Sequence, residues 1–229
     1  MSTRPKRRLD AIRRPQILAT AIELVREKGL WSVRISDVAK RAGMSPASVV
    51  YYFGTKDELL AEAIAGADDA FYEPVLGELA QLSVACDRMA WLMVRSSASD
   101  WLLWMDLWVY ARHHPDTAVA QRRFHRRWRQ TIEDVVAYGT ATGEWSIADP
   151  AAVALRLSAL TDGLAVHMVL GDPDHTRERY VEMSLVAASL ELGCDPGEGV
   201  HRVRHPAVPV LEGPGHGGMS ALIDLVGRK

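Results

Sequence analysis

Apolar residues along this chain recur three and four positions apart, and no stretch sustains the alternation at every second residue that a half-buried strand needs. That pattern predicts an all-α fold. Helices are expected over about 15–28, 35–42 and 46–53, then in a run opening after Thr55, and beyond it over about 82–98, 100–113, 117–141, 149–171 and 175–192. Pro15 suits a first turn, where no amide hydrogen is needed, and Leu18, Ala21, Ile22 and Val25 share one face before Gly29 stops the helix. Ser45 is placed to cap a very short third helix that has Pro46 in its first position, and Thr55 to cap the fourth, whose Asp57 and Glu58 complement the helix dipole. Breaks are expected at Asp100, at His114-Pro115-Asp116, at Gly143 and at Gly171-Asp172-Pro173-Asp174.

The net charge of −2 conceals a segregation. Residues 1–60 carry 12 Lys and Arg against 6 Asp and Glu, a balance of +6, which leaves residues 61–229 at −8. A basic head on an acidic body meets a polyanion at one end only. The apolar stretch from Leu157 to Leu170 is interrupted by Thr161, Asp162 and His167, so no membrane span is expected. The basic opening MSTRPKRRLDAIRR lacks a following apolar core, so no signal peptide is read there. Cys86 and Cys194 are about a hundred residues apart, which gives neither a disulfide framework nor a zinc site and fits a cytoplasmic protein. There is no G-x-S-x-G elbow, no phosphate-binding loop and no dinucleotide fingerprint, so no enzyme and no cofactor is expected. His201 and His205 have metal-friendly spacing but stand in a Pro/Gly-rich tail without further ligands nearby, so no metal is expected either.

In the stretch RISDVAKRAGMSPASVVYYFGTKDELL, small or branched residues (Val38, Ala39, Ala42, Val49) let two short helices cross closely, and Gly43 supplies the turn between them. The outer face of the second helix then carries Pro46, Ala47, Ser48, Tyr51 and Tyr52. A helix so short is unstable alone, so exposing it makes sense as a reading head held by its neighbours, the helix-turn-helix arrangement. Gly29 through Leu60 resembles the DNA-binding signature of the TetR family. The resemblance implies that Ser45, Pro46, Ala47, Ser48, Tyr51 and Tyr52 lie at the major groove and its flanking phosphates. It implies too that Lys56 binds phosphate and that Ser36, with Arg34 beside it, contacts the backbone. Two departures stand out. Arg34 occupies the place where relatives carry a Ser or Thr cap, so either Ser32 caps an earlier start or the helix end is left to water and phosphate. Val50 replaces a common aromatic, so base preference should differ. The arm with Arg4, Lys6, Arg7 and Arg8 either enters a groove or is a solvated tail.

The domain organisation expected is a basic arm (1–14), a three-helix helix-turn-helix domain (15–60), a larger ligand-binding and dimerisation domain reached through a continuous helix (61–192) and a Gly/Pro-rich tail (193–229) with a short helix over 219–226. One reading helix covers few base pairs, so binding to double-stranded operator DNA calls for a homodimer with heads about 34–36 Å apart. The faces of 151–170 and 180–192 (Ala152, Leu155, Ala159, Ala165; Val181, Leu185, Ala188) suit a four-helix contact between copies, or else close the protomer's own core.

The body most resembles the BetI-type subgroup of the family. Five of the seven Trp lie between Trp91 and Trp128, and Trp101, Trp104 and Trp108 fall on one helical stripe. With Met105, Trp128 and Asp162 they are the candidate effector-binding residues, and indole faces suit a cationic amine such as a choline-like or polyamine ligand. Arg112 on the same stripe argues against a cation, and ordinary core packing is the other reading of the stripe. Asp162 either receives the amine or pairs with Arg156, an indole or a helix end. The cluster Arg122, Arg123, Arg126, Arg127 and Arg129 reads as a solvated face. Together these features imply a ligand-responsive repressor released from its operator by a small molecule. A response to an apolar or aromatic ligand, action as an activator, or a helical adaptor without DNA binding are the alternatives.

Overall fold

The computed structural model describes residues 4–96 and 101–193. Within them the chain is all-α: α1 (Arg4–Ser32), α2 (Ile35–Arg41), α3 (Pro46–Phe53), α4 (Lys56–Gln81), α5 (Ala85–Ser96), α6 (Trp101–Ala111), α7 (Pro115–Thr142), α8 (Pro150–Val169) and α9 (Arg177–Leu192). The expected helices are present in their expected order, with one large difference at the start. Helix α1 begins at Arg4, so Pro15 lies inside it and not in its first turn. Proline tolerates a helical φ, and the residues before it are good helix formers, so the local signal for a start at Pro15 is overridden. The basic arm is therefore helical in its backbone. Gly29 ends the regular part of α1 as expected, at φ 76° and ψ 159°, and a methyl group there would come within 2.9 Å of an Asp106 carboxylate oxygen.

Two compact units are distinguishable. The first takes the described residues up to Tyr72 together with Leu102–Phe124, that is α1 to α3, most of α4, α6 and the start of α7. Its core is formed by Ile17, Ala21, Leu24, Val25, Leu30, Val33, Val38, Ala39, Val49, Phe53, Leu59 and Leu60, joined by Leu107 and Tyr110 of α6 and Ala120 of α7. With seven and eight residues, α2 and α3 cannot persist alone. Burial of residues such as Val38 and Val49, each worth about 1.5–3 kcal/mol, holds them in place. The sequence-based division at residue 60 thus differs from the compact unit, which continues into α4 and recruits α6.

The second unit takes Glu73–Trp101 and the described residues from His125 onward. Helix α9 packs on both α8 and α5. Asp149 caps α8 by accepting the Ala152 amide at 3.0 Å, with Pro150 in the first position. Glu144 caps α5 from a distance in sequence, accepting the amides of Ala85 and Cys86 at 2.7 and 3.1 Å. Trp145 folds back on α7, its indole donating to the Val136 carbonyl at 2.8 Å, over Gly139, where a β-carbon would sit 2.1 Å from the ring. Helix α8 is long and apolar enough, by length and composition alone, to cross a membrane. Its buried Ser158 and Thr161 and its Arg156, paired with Glu191 of α9, are those of a helix in a helical layer. The 219–226 helix, the tail, Cys194, His201 and His205 lie outside the described residues.

Candidate DNA-reading helix and effector region

Helix α3 is built to be looked at. Ser45, extended at φ −83° and ψ 150°, accepts the Ser48 amide at 3.1 Å, and the two hydroxyls lie 2.9 Å apart. Val49 and Phe53 are buried, which turns the opposite face outward: Ser45, Pro46, Ala47 and Val50 are exposed and Tyr51 is 67% exposed, whereas Ser48 and Tyr52 are half-buried. Tyr51 and Tyr52 meet edge to face at 5.5 Å. Gly43, at φ 66°, makes the turn from α2.

The start of α2 is capped by neither of the means expected from the sequence. A guanidinium has no acceptor, so Arg34 cannot cap. Instead Asp37, three residues into the helix, accepts the Arg34 amide at 3.2 Å. The same Asp37 oxygen is 2.9 Å from Lys28 Nζ, and this partner, more than the Arg34 amide, holds the Asp37 carboxyl below its ordinary range. Arg34 and Ser36 are left exposed.

Arg14, absent from the sequence-based candidates, positions the reading helix. Its Nη1 donates to the Tyr52 carbonyl at 2.8 Å near the end of α3, its Nε donates to Glu62 of α4 at 2.7 Å with Nη2 on the second carboxylate oxygen, and its guanidinium lies 4.6 Å from the Phe53 ring centroid. Arg41 and Glu27 form a second two-pronged brace, between α2 and α1, at 2.5 and 2.7 Å. Such pairs fix angle as well as distance.

Lys56 is half-buried. Its ammonium donates to the Trp31 carbonyl at 3.1 Å and stands 5.4 Å from the Tyr110 ring centroid, and burial lowers its pKa. Its aliphatic stem thus lies between the end of α1 and the Tyr110 ring of α6, a neighbour that the linear sequence does not reveal. The neighbouring Asp57 reaches α7: it accepts the Asp116 amide at 3.2 Å and the Thr117 hydroxyl, with His114 Nδ1 at 3.9 Å. His114 stacks on Tyr110 at 3.7 Å, and Trp31 meets Tyr110 edge-on at 4.9 Å. Burial, helped by the Asp57 charge, pushes the Tyr110 phenol up to about 12.

The six effector candidates do not form one wall. Trp101 is buried against Tyr180, ring centroids 6.3 Å apart, and Trp128 is buried. Trp104 belongs to the other unit, stacked on Phe124 at 3.9 Å. Met105 and Trp108 are half-buried. Asp162 is half-buried with its Oδ2 3.1 Å from His125 Nε2, a partner the sequence reading did not consider. Phe71, Tyr72 and Phe124 lie 5.1–5.7 Å from one another, so that with Trp104 they make an aromatic cluster. Asp68, 2% exposed, sits one turn before Tyr72 on α4 and 3.4 Å from Arg123 Nε, and Arg123 also pairs with Asp69. An acid four residues before an aromatic on a helix was the available sequence signal for this cluster.

Residues 17–63 match the family described as bacterial regulatory proteins, tetR family, and residues 89–192 match the one described as BetI-type transcriptional repressor, C-terminal. The chain belongs to the TetR family. It is a transcriptional regulator with a DNA-reading head of TetR type and a body of BetI type. It is 25% identical over 173 residues to the transcriptional regulator BetI of Brucella anthropi, covering 73% of this chain and 87% of that one. It is also 25% identical over 201 residues to the regulator PksA of Bacillus subtilis, covering 85% and 96%. A crystal structure of a transcriptional regulator from Saccharomonospora viridis in complex with choline is 27% identical, with a TM-score of 0.67, covering 75% of this chain and 92% of that one.

Proposed function

We propose that this TetR-family protein is a cytoplasmic repressor that binds operator DNA as a homodimer through α3 and is released by a small cationic amine of the quaternary-ammonium class. The observation that carries the reading is the exposure of Tyr51 beside exposed Ser45, Pro46 and Ala47 on a capped helix that buries Val49 and Phe53 on its other face. Arg34 and Ser36 supply backbone contacts, Ser48 and Tyr52 support the reading face from its edge, and Lys56 contributes to the fit of the head more than to phosphate.

Support for the homodimer comes from one outward stripe on each of two helices. Ala152, Leu155 and Ala159 of α8 and Met183, Ala187 and Leu190 of α9 follow helical spacing, and Leu155 and Leu190 are 54% and 67% exposed. A groove lined by Leu157, Leu160, Ala187 and Leu190, with the Arg156–Glu191 pair at its side, runs along the same helices. Ala165, Leu185 and Ala188 are buried inside the protomer and leave the contact face proposed from sequence. Support for the amine comes from the aromatic cluster of Trp104, Phe71, Tyr72 and Phe124 beside Asp68, since ring faces and a buried carboxylate both favour an organic cation, and from the choline held by the Saccharomonospora regulator. Arg123 already meets Asp68, which favours as a second reading an apolar or aromatic ligand that leaves this pair in place.

The test is fluorescence anisotropy on the DNA upstream of the chain's own gene against scrambled DNA. Choline, spermidine and an aromatic acid are then titrated into the complex, and a promoter–reporter fusion reads the sign of regulation. Equal retention of both DNAs would overturn the regulator reading of α3. Release by the aromatic acid alone would replace the amine with the second reading.

A further inference from the structure

The turn between α8 and α9 brings together three side chains that neither DNA reading nor effector binding uses. His167 stands in the last turn of α8, and Asp172 and His175 in the connection that follows. His175 Nδ1 is 3.0 Å and His167 Nδ1 3.5 Å from the same oxygen, Asp172 Oδ2. The imidazoles stack at 4.6 Å and 25°, and one donor atom from each of the three residues lies within 4.8 Å of the others. Donors about 2.1 Å from a tetrahedral ion stand about 3.4 Å apart; the His167–Asp172 side, at 3.5 Å, matches that spacing and the His175–Asp172 side, at 3.0 Å, is somewhat shorter.

The turn also orients the carboxylate. Its other oxygen, Asp172 Oδ1, accepts the Asp174 amide at 3.0 Å, the Asp172 amide donates to the His167 carbonyl at 3.1 Å, and the His175 amide donates to the Asp172 carbonyl at 3.0 Å. One oxygen is thereby fixed by the backbone and the second is aimed between the two rings, as outer-shell bonds fix metal-binding carboxylates. His175 Nδ1 is shielded from solvent and faces Asp172 Oδ2 at 3.0 Å. Two imidazoles and one carboxylate suit zinc, cobalt or nickel, and not calcium or magnesium, which take oxygen sets.

We propose that His167, Asp172 and His175 form a binding site for a divalent transition-metal ion of the zinc class, closing the α8–α9 turn with a fourth position open to water. The ion joins the end of one helix to the entry of the next and stabilises the hairpin in proportion to its concentration over its dissociation constant.

The test uses the full-length, tag-free protein after chelator treatment, titrated calorimetrically with zinc sulfate. Wild type is expected to bind one zinc per chain and to melt at higher temperature with zinc. H167A, H175A and the shape-conserving D172N are each expected to weaken binding by more than about tenfold while keeping the helical circular-dichroism signal. The H201A/H205A double variant is expected to bind as wild type does. Cobalt in place of zinc should give a visible absorption band that H175A loses. Absence of binding to wild type, unchanged affinity in H167A and H175A, or loss of binding only in H201A/H205A would each overturn the proposal.

Discussion

Ser45 adds to the stability of an eight-residue helix that burial of Val49 and Phe53 holds in place, because its hydroxyl takes an amide that the helix cannot satisfy internally. Ser45→Ala is expected to cost about 1 kcal/mol of unfolding free energy, seen as a lower urea midpoint with an unchanged slope. Tyr51→Ala should leave that midpoint alone, since the ring touches Tyr52 but not the core. It is expected to weaken operator binding by about tenfold or more while scrambled-DNA binding changes little; equal losses on both DNAs would remove Tyr51 from base reading. Tyr110 is the opposite kind of tyrosine. Its phenol is neutral in the fold up to about 12 against an ordinary value near 10. The stability it contributes is therefore complete below pH 10 and is lost as pH climbs from there toward 12. Absorbance at the phenolate wavelength should show an ionisation near 12 that Tyr110→Phe abolishes. The outward residues of α3 were legible in the sequence because capping, proline placement and a two-sided pattern are local. The contact of Lys56 with the Trp31 carbonyl was not legible, because the two lie 25 residues apart and no local pattern encodes it.

Among the elements, α3 owes its orientation to Arg14, which ties its last turn to α4. Arg14→Met is expected to lower operator affinity severalfold without changing the slope of log K against log salt, because the clamp positions the helix and adds no phosphate contact; a shallower slope would make Arg14 a phosphate ligand instead. Gly139→Ala drives a β-carbon into the Trp145 ring and should destabilise by about 1–3 kcal/mol, read as a fall in melting temperature. Helix order and most boundaries were legible from periodicity and breakers. The true start of α1 was not, since Pro15 fits a first turn and a helix interior alike when only neighbours are considered. The Trp stripe shows the limit of the same reasoning: spacing put three indoles on one side of α6, but Trp101 found Tyr180 and Trp104 found Phe124, partners supplied by other helices.

For the whole molecule, the charge segregation of +6 in residues 1–60 against −8 in the remainder was visible without coordinates, as was the family of the reading head. The aromatic cluster was not, because Asp68, Phe71, Tyr72, Trp104 and Phe124 come from three helices. Leu155→Glu together with Leu190→Glu, on the outward faces of α8 and α9, should shift sedimentation from dimer to monomer and abolish specific DNA binding while helicity is kept. A dimer that survives the pair of charges would place the contact elsewhere. Asp57 carries a further consequence. By accepting from Asp116 and Thr117 at the first turn of α7 while it belongs to the first turn of α4, it leaves those two helix ends no independent play. The same carboxylate thus ties the first turn of α7 to the first turn of α4, and Asp57→Asn is expected to keep operator affinity while blunting release by the ligand, measured as DNA anisotropy with and without it.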